Sequence, residues 1–284
     1  MNKKHILINK KIKIIIFVII VAVIFTNIKY IKFKNDYIEG NFIKTSIDNN
    51  EFNKLYIDLI AEYETNFNEQ NINRSTNIKL ATSKLNEKII LPGEIFSFND
   101  VVGRRTEEKG FKLAHVYQNG KIVDGLGGGI CQVSSTLYNA CLYANLNIIE
   151  RKSHQFMPAY IEVGRDATVV DGYIDFKFKN TRNYPIKLIC SADSGKLKCK
   201  IYGKKEETEY NVEVKSEILE CIKFKSIYEE DDNIKEEIIV QNGKNGYKSK
   251  TYKILKINEN IISKELISID TYNVINEIIK TGIK

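Results

Sequence analysis

The chain is short of the residues that rule extended, metal-bound or cross-linked proteins. Three prolines and three histidines occur in 284 residues. With 43% hydrophobic residues, that poverty in proline excludes a disordered or collagen-like chain. There is no Cys-x-x-Cys and no pair of histidines at helical spacing, so neither a metal nor a cofactor is expected. Five cysteines over this length are too sparse for a small disulfide knot, and the odd number leaves at least one thiol unpaired. An excess of basic charge is also missing where it would matter. The net charge is +7, but eight lysines and no acid lie in residues 1–34. Residues 35–284 carry 35 basic against 36 acidic side chains, which excludes a basic nucleic-acid groove.

One long apolar run is present, from Ile14 to Phe25. It is short for a spanning helix, but Ile6, Leu7, Ile8 and Ile12 lengthen it if Lys13 reaches back toward the headgroups. A cleaved signal peptide and a retained anchor compete. No small-x-small site follows the run, which favours the anchor. Five lysines precede the run and three follow it, which places the N-terminus in the cytoplasm and the bulk of the chain beyond the cell membrane.

The remaining pattern predicts an α+β fold. Residues 1–34 are a cytoplasmic tail and single transmembrane helix, and 35–62 a juxtamembrane stalk with some helix. Residues 63–204 form a mixed α/β domain: an extended piece, a helix to about 88, a turn at Pro92-Gly93, short strands with a turn at Asn119-Gly120, and a glycine loop leading into a helix over 131–145. Strands are expected at 159–164, 167–170, 173–179, 185–191 and 196–202. A charged connector, 205–209, opens onto a small, separate all-β module, 209–284. Cys190 and Cys199 flank a stretch that would set them opposite each other if it turns at Ser194-Gly195, where a bridge is possible. Cys141 and Cys221 read as core thiols.

Chemistry concentrates at Gly125-Leu-Gly-Gly-Gly-Ile-Cys131. Val133, Leu137, Ala140, Cys141 and Ala144 then repeat as the apolar stripe of a helix. Cys131 therefore stands at a helix start, where unpaired N–H groups favour an anion, lower a thiol's pKa and could receive an oxyanion. The loop lacks the Lys-Ser/Thr ending of a phosphate-binding loop. A nucleophilic thiol needs a base. His154 is favoured over His115 because it follows the helix closely, and Asp166, Asp171 or Asp175 could orient it.

Gly127 to Ala140 resembles the signature of the VanW domain. Asn73-Arg74, Asn77-Ile78, Pro92-Gly93-Glu94, Phe96-Ser97-Phe98-Asn99, Val102-Gly103, Arg105-Thr106 and Gly110-Phe111 are similar to its first half. Glu150-Arg151, His154, Tyr160, Gly164 to Val169 and Asp175 are similar to its second. The tail, through Gln241-Asn242-Gly243, Gly246-Tyr247, Tyr252, Leu266 and Asp270-Thr271-Tyr272, resembles a G-five wall-protein module.

The resemblance implies a peptidoglycan L,D-transpeptidase that forms 3–3 cross-links through a cysteine thioester. Cys131 would be the nucleophile, His154 the proton shuttle and Asp166 its orienter. Gly128, Gly129, Gln132 and Ser134 would border the substrate, and Arg104, Arg105, Arg151 or Arg165 would bind stem-peptide carboxylates. The implied partners are peptidoglycan stem peptides, the membrane, and the cell wall through the tail. A non-catalytic wall scaffold and a cysteine carboxypeptidase stay open as alternatives.

Overall fold

The computed structural model describes residues 54–118, 121–233 and 235–282. The expected membrane segment and most of the expected stalk lie outside them. Among the described residues no helix is long and apolar enough to cross a membrane. The fold is α+β with few helices and an all-β C-terminal region.

Strand β1, Asp58–Asn66, takes up the end of the expected stalk and pairs with β9, Lys196–Gly203. With β8, Ile186–Asp193, and β2, Ile89–Ile90, they form an antiparallel sheet in the order β1-β9-β8-β2. Period-two patterning explains its two faces. Leu197, Cys199 and Ile201 point inward, while Lys198 and Lys200 point outward toward Glu64 and Glu62. The β8–β9 turn is Ser194-Gly195, both at positive φ (51° and 73°), and it sets Cys190 opposite Cys199. Both thiols are buried and free, so the possible bridge is not formed.

Helix α1, Ile72–Leu85, packs on β8, and helix α3, Ile130–Tyr143, packs on β1 and β9. Between them lie α2, Phe98–Val102, and the hairpin of β4, Leu113–Gln118, with β5, Lys121–Leu126. The expected turn of that hairpin, Asn119-Gly120, is outside the described residues. After α3 the chain stops in a left-handed Asn145 (φ 53°). Leu146 N–H bonds Cys141 O and Asn145 N–H bonds Leu142 O, which satisfies the last carbonyls of the helix. The predicted apolar stripe of α3 is buried throughout, including Cys141. A second sheet, β3-β7-β6, is made of β3, Ile95–Ser97, β7, Lys177–Lys179, and β6, Asn147–Glu150.

Two strand expectations fail. Residues 159–164 contain no strand, and 167–170 contribute only the Val170–Ile174 bridge. Their backbone is satisfied in part by side chains of α3, among them Ser134, Ser135 and Asn139, so apolar alternation there marks a packed loop.

In the tail, β10, Asn211–Ile222, β13, Gly246–Ile257, and β14, Asn260–Tyr272, form one antiparallel sheet. Strands β11, Ser226–Glu230, β15, Glu277–Thr281, and β12, Ile238–Gln241, form another, in which β11 and β15 run parallel. Cys221 is exposed on β10, not a core thiol: these thin sheets have too little bulk to bury every apolar face. The tail is also less separate than its sequence predicts, because β13 and the end of β14 pack against the loop that carries Asp166.

Candidate active site

Cys131 is the second residue of α3 and is half-buried. Gly129 caps the helix with φ 105°, a conformation that glycine takes at no steric cost. Ile130 N–H closes on Gly127 O and Gln132 N–H on Gly129 O. The Cys131 N–H, lying between them, has no intramolecular partner among the described residues.

The thiol lies 3.4 Å from Val169 O and 3.5 Å from Val169 N, and it interacts electrostatically with the His154 imidazole. The His154 Nδ1 is 2.5 Å from Asp166 Oδ2. That oxygen also accepts the His154 backbone N–H at 2.7 Å. Asp166 Oδ1 accepts from Arg151 Nη2 at 3.0 Å and from the Tyr272 hydroxyl at 2.5 Å. A buried carboxylate thus holds the imidazole, and that imidazole and the thiol shift each other's pKa.

The charges follow from this packing. Burial pushes the Cys131 thiol up, but the bond to His154, its charge, Val169 N–H and Arg105 outweigh it, and the thiol falls below its ordinary value. Burial pushes His154 down, but bonds to Asp166 and Cys131 and their charges raise it to about 10. Burial raises Asp166, yet His154, Arg151 and Tyr272 hold it below the usual carboxylate range. Both shifts favour the thiolate–imidazolium pair over the neutral thiol and imidazole. Tyr160 sits edge-on to His154, ring centroids 6.5 Å apart, and its hydroxyl is 3.4 Å from Ser135 Oγ.

The remaining residues expected at the site divide. Gly128 is buried, and its carbonyl accepts from Asn77 Nδ2, fixing the loop to α1. Gln132 is buried and bonds Thr65, Asn66 O and Arg74, which ties α3 to β1 and α1 rather than to a ligand. Ser134 is buried and donates to Ala167 O at 2.6 Å. Arg165 is buried against Asn139, Tyr143 and Val214 O, so it cannot meet a substrate carboxylate. Arg151 is likewise committed, to Asp166 and Asp270. Arg105 reaches Asn99 Oδ1 and Asp171, and its charge is felt at Cys131. Arg104 is 82% exposed beside Asp171. His115 is 71% exposed and pairs with Asp124 on the β4–β5 hairpin. Asp175 caps α2 through Ser97 Oγ and Asn99 N–H.

Four neighbours carry no sequence signal that marks them as site residues. Arg74, bonded to Gln132 Oε1 at 2.7 Å, interacts with both Cys131 and Tyr160. Ser135 donates to Cys131 O and accepts from Ala167 N–H, and Asp270 and Tyr272 come from the tail. Polar residues so frequent on α3 signal that its second face is buried, but not against what.

Fold and site together define a class: an α+β domain with a cysteine at a helix N-terminus electrostatically linked to a histidine that a buried aspartate holds, followed by an all-β tail. Comparison with known proteins finds family matches to parts of the chain. Residues 73–202 match the family described as "VanW like protein" and residues 205–284 that of the "G5 domain". The chain therefore carries a VanW-like domain followed by a G5 domain. It is similar to "Uncharacterized protein YoaR" of Bacillus subtilis (44% identity, 51% of this chain, 48% of the relative). It is also similar to "Vancomycin B-type resistance protein VanW" of Enterococcus faecalis (33% identity, 47% of this chain, 50% of the relative). The chain spans about half the length of these curated relatives. Two solved structures are similar over about a quarter of the chain. One is "Crystal structure of HP0197-G5" (19% identity, 26% of this chain, 100% of that chain, TM-score 0.17). The other is "IgA1 Protease G5 domain structure" (23% identity, 28% of this chain, 99% of that chain, TM-score 0.20).

Proposed function

We propose that the chain is a cell-wall acyltransferase, an L,D-transpeptidase that makes 3–3 cross-links in peptidoglycan. The observation that carries this reading is the Cys131 thiol at the start of α3, electrostatically linked to a His154 whose Nδ1 is held by buried Asp166. The Cys131 thiolate attacks the carbonyl carbon of the third stem residue, a diamino acid. The tetrahedral oxyanion is held by the unpartnered Cys131 N–H at the end of the glycine turn. As the peptide bond to the terminal D-alanine breaks, the His154 imidazolium gives its proton to the departing amine. Neutral His154 then takes a proton from the acceptor amine of a second stem as that amine attacks the thioester. The thiolate and imidazolium are restored, and no water is consumed. Exposed Arg104, only loosely paired with Asp171, and half-buried Arg74, which gives one nitrogen to Gln132, would meet stem carboxylates; buried Arg151 and Arg165 are fully committed. On this reading the apolar run at 14–25 keeps the chain at the membrane, with the described residues on the wall side.

The test is the full chain incubated with disaccharide-tetrapeptides and read by mass spectrometry. A thioester adduct on Cys131 and 3–3 dimers are expected. Release of D-alanine with trimmed monomers and no dimers would make it a carboxypeptidase instead. Full cellular activity of Cys131→Ala would make it a scaffold.

A further inference from the structure

The candidate site is finished by residues that no part of the VanW-like domain supplies. The Tyr272 hydroxyl, at the end of β14, donates to Asp166 Oδ1 at 2.5 Å and accepts Gly164 N–H at 2.9 Å. Two residues earlier on the same strand, Asp270 Oδ1 accepts from Arg151 Nη1 at 2.6 Å, and its Oδ2 is held by Ser268 Oγ at 2.9 Å. Arg151 in turn binds the Asp166 carboxylate and, through Nε at 2.6 Å, the Asp166 carbonyl. The backbone is bracketed as well: Thr251 Oγ1 on β13 donates to Gly164 O at 3.2 Å, and Asn273 N–H to Gln155 O at 2.7 Å. Gly164 has φ 80°, and a Cβ there would collide with the Thr251 hydroxyl, so the loop is shaped to receive this strand. Tyr272 is fully buried by the contact.

We propose that the G5 tail is part of the catalytic unit: Tyr272 and Asp270 are positioning residues that hold Asp166, and through it His154, in line with Cys131. The inference rests on the cysteine reading above. Its physical basis is the set of donors at Asp166. His154 needs one fixed carboxylate oxygen at Nδ1. The other oxygen must then be pinned, and of the two donors that pin it, one comes from the tail and the other is a guanidinium whose second counter-charge comes from the tail. Burial and the charge of Asp166 keep the Tyr272 hydroxyl protonated, so it stays a donor. A G5 domain that served only to touch the wall would have no need to bury a tyrosine and an aspartate against the site's carboxylate.

Alkylation of Cys131 by iodoacetamide tests this on the full chain without any assumption about substrate. The rate is followed against pH by peptide mass mapping, with melting by circular dichroism alongside. Tyr272→Phe removes one oxygen, and Asp270→Asn removes one charge and serves as the second variant should the first fold poorly. With Asp166 freed to turn, the imidazolium is less favoured. The rising limb of alkylation should move up by about one pH unit, and the rate at neutral pH should fall on the order of tenfold. A merely structural role would lower the melting temperature and leave the limb where it is. Unmoved limbs in both folded variants overturn the inference. If the unsubstituted chain itself shows no alkylation limb below that of an ordinary thiol, the cysteine reading fails and takes this inference with it.

Discussion

Asp166 is where the donors converge, so its replacement by asparagine gives the sharpest test of the site's electrostatics. The side chain is fully buried and accepts from His154 N, His154 Nδ1, Arg151 Nη2 and the Tyr272 hydroxyl. Asp166→Asn keeps the shape, removes the charge and turns an amide N–H₂ toward groups that are themselves donors. Removing one member of a buried, hydrogen-bonded ion pair costs about 3–5 kcal/mol. Arg151 keeps Asp270 as a counter-charge, which puts the loss at the low end, about 3 kcal/mol. With a urea slope of roughly 2–3 kcal/mol per molar, the unfolding midpoint falls by about 1 M at pH 7, read by far-UV circular dichroism. The loss also has a pH signature. The folded-state pKa of Asp166 is depressed below the ordinary 3.8. Its contribution is therefore fully present above the unfolded value and disappears as pH falls through the lower folded one. The stability gap between Asp166→Asn and the unsubstituted chain should be constant above the ordinary carboxyl value of 3.8 and shrink as pH falls below it. A gap of constant size from pH 7 to pH 3 refutes the reasoning.

Three further outcomes are tied to particular contacts. Above the lowered pKa of Cys131 and below about 10, where His154 loses its proton, the site holds a thiolate–imidazolium pair. At pH 7 iodoacetamide should therefore label Cys131 well before buried Cys141, Cys190 and Cys199, and turnover should decline as pH rises through about 10 because the general acid is lost. His115→Ala should change stability by no more than about 0.5 kcal/mol and leave Cys131 alkylation unaltered, since that imidazole is solvated and paired with Asp124 on the hairpin; a loss of reactivity would reopen the choice between the two histidines. Gly129→Ala forces a Cβ to within 2.9 Å of Arg74 Cγ at a left-handed φ and should cost about 1–3 kcal/mol, visible as a drop in melting temperature.

Local pattern makes much of this molecule legible. The glycine turn before Cys131 and the 3.6-residue stripe from Val133 to Ala144 specify a helix start at the thiol, whatever else surrounds it. Period-two alternation in 186–193 and 196–203 specifies a hairpin with one wet face, and Ser194-Gly195 fixes its register. Those signals are carried by neighbouring residues, so a linear reading captures them. The loop at 159–170 imitates a strand because its β-branched and apolar residues alternate, yet only Ala167 and Val169 of them are buried, and they are buried without a strand partner. The roles of Gln132, Ser134, Arg151 and Arg165 are hidden for a related reason. A polar side chain looks available until its partner, far away in sequence, is known.

The sequence by itself determined that a cysteine would stand at the head of a helix and that strands would dominate after it. Which histidine approaches the sulfur, which aspartate backs it, and that a tyrosine 106 positions further along bonds that aspartate were decided only when the chain folded back on itself. The reason is physical: propensity and periodicity act over a few residues, whereas a buried carboxylate draws its donors from wherever the fold can bring them.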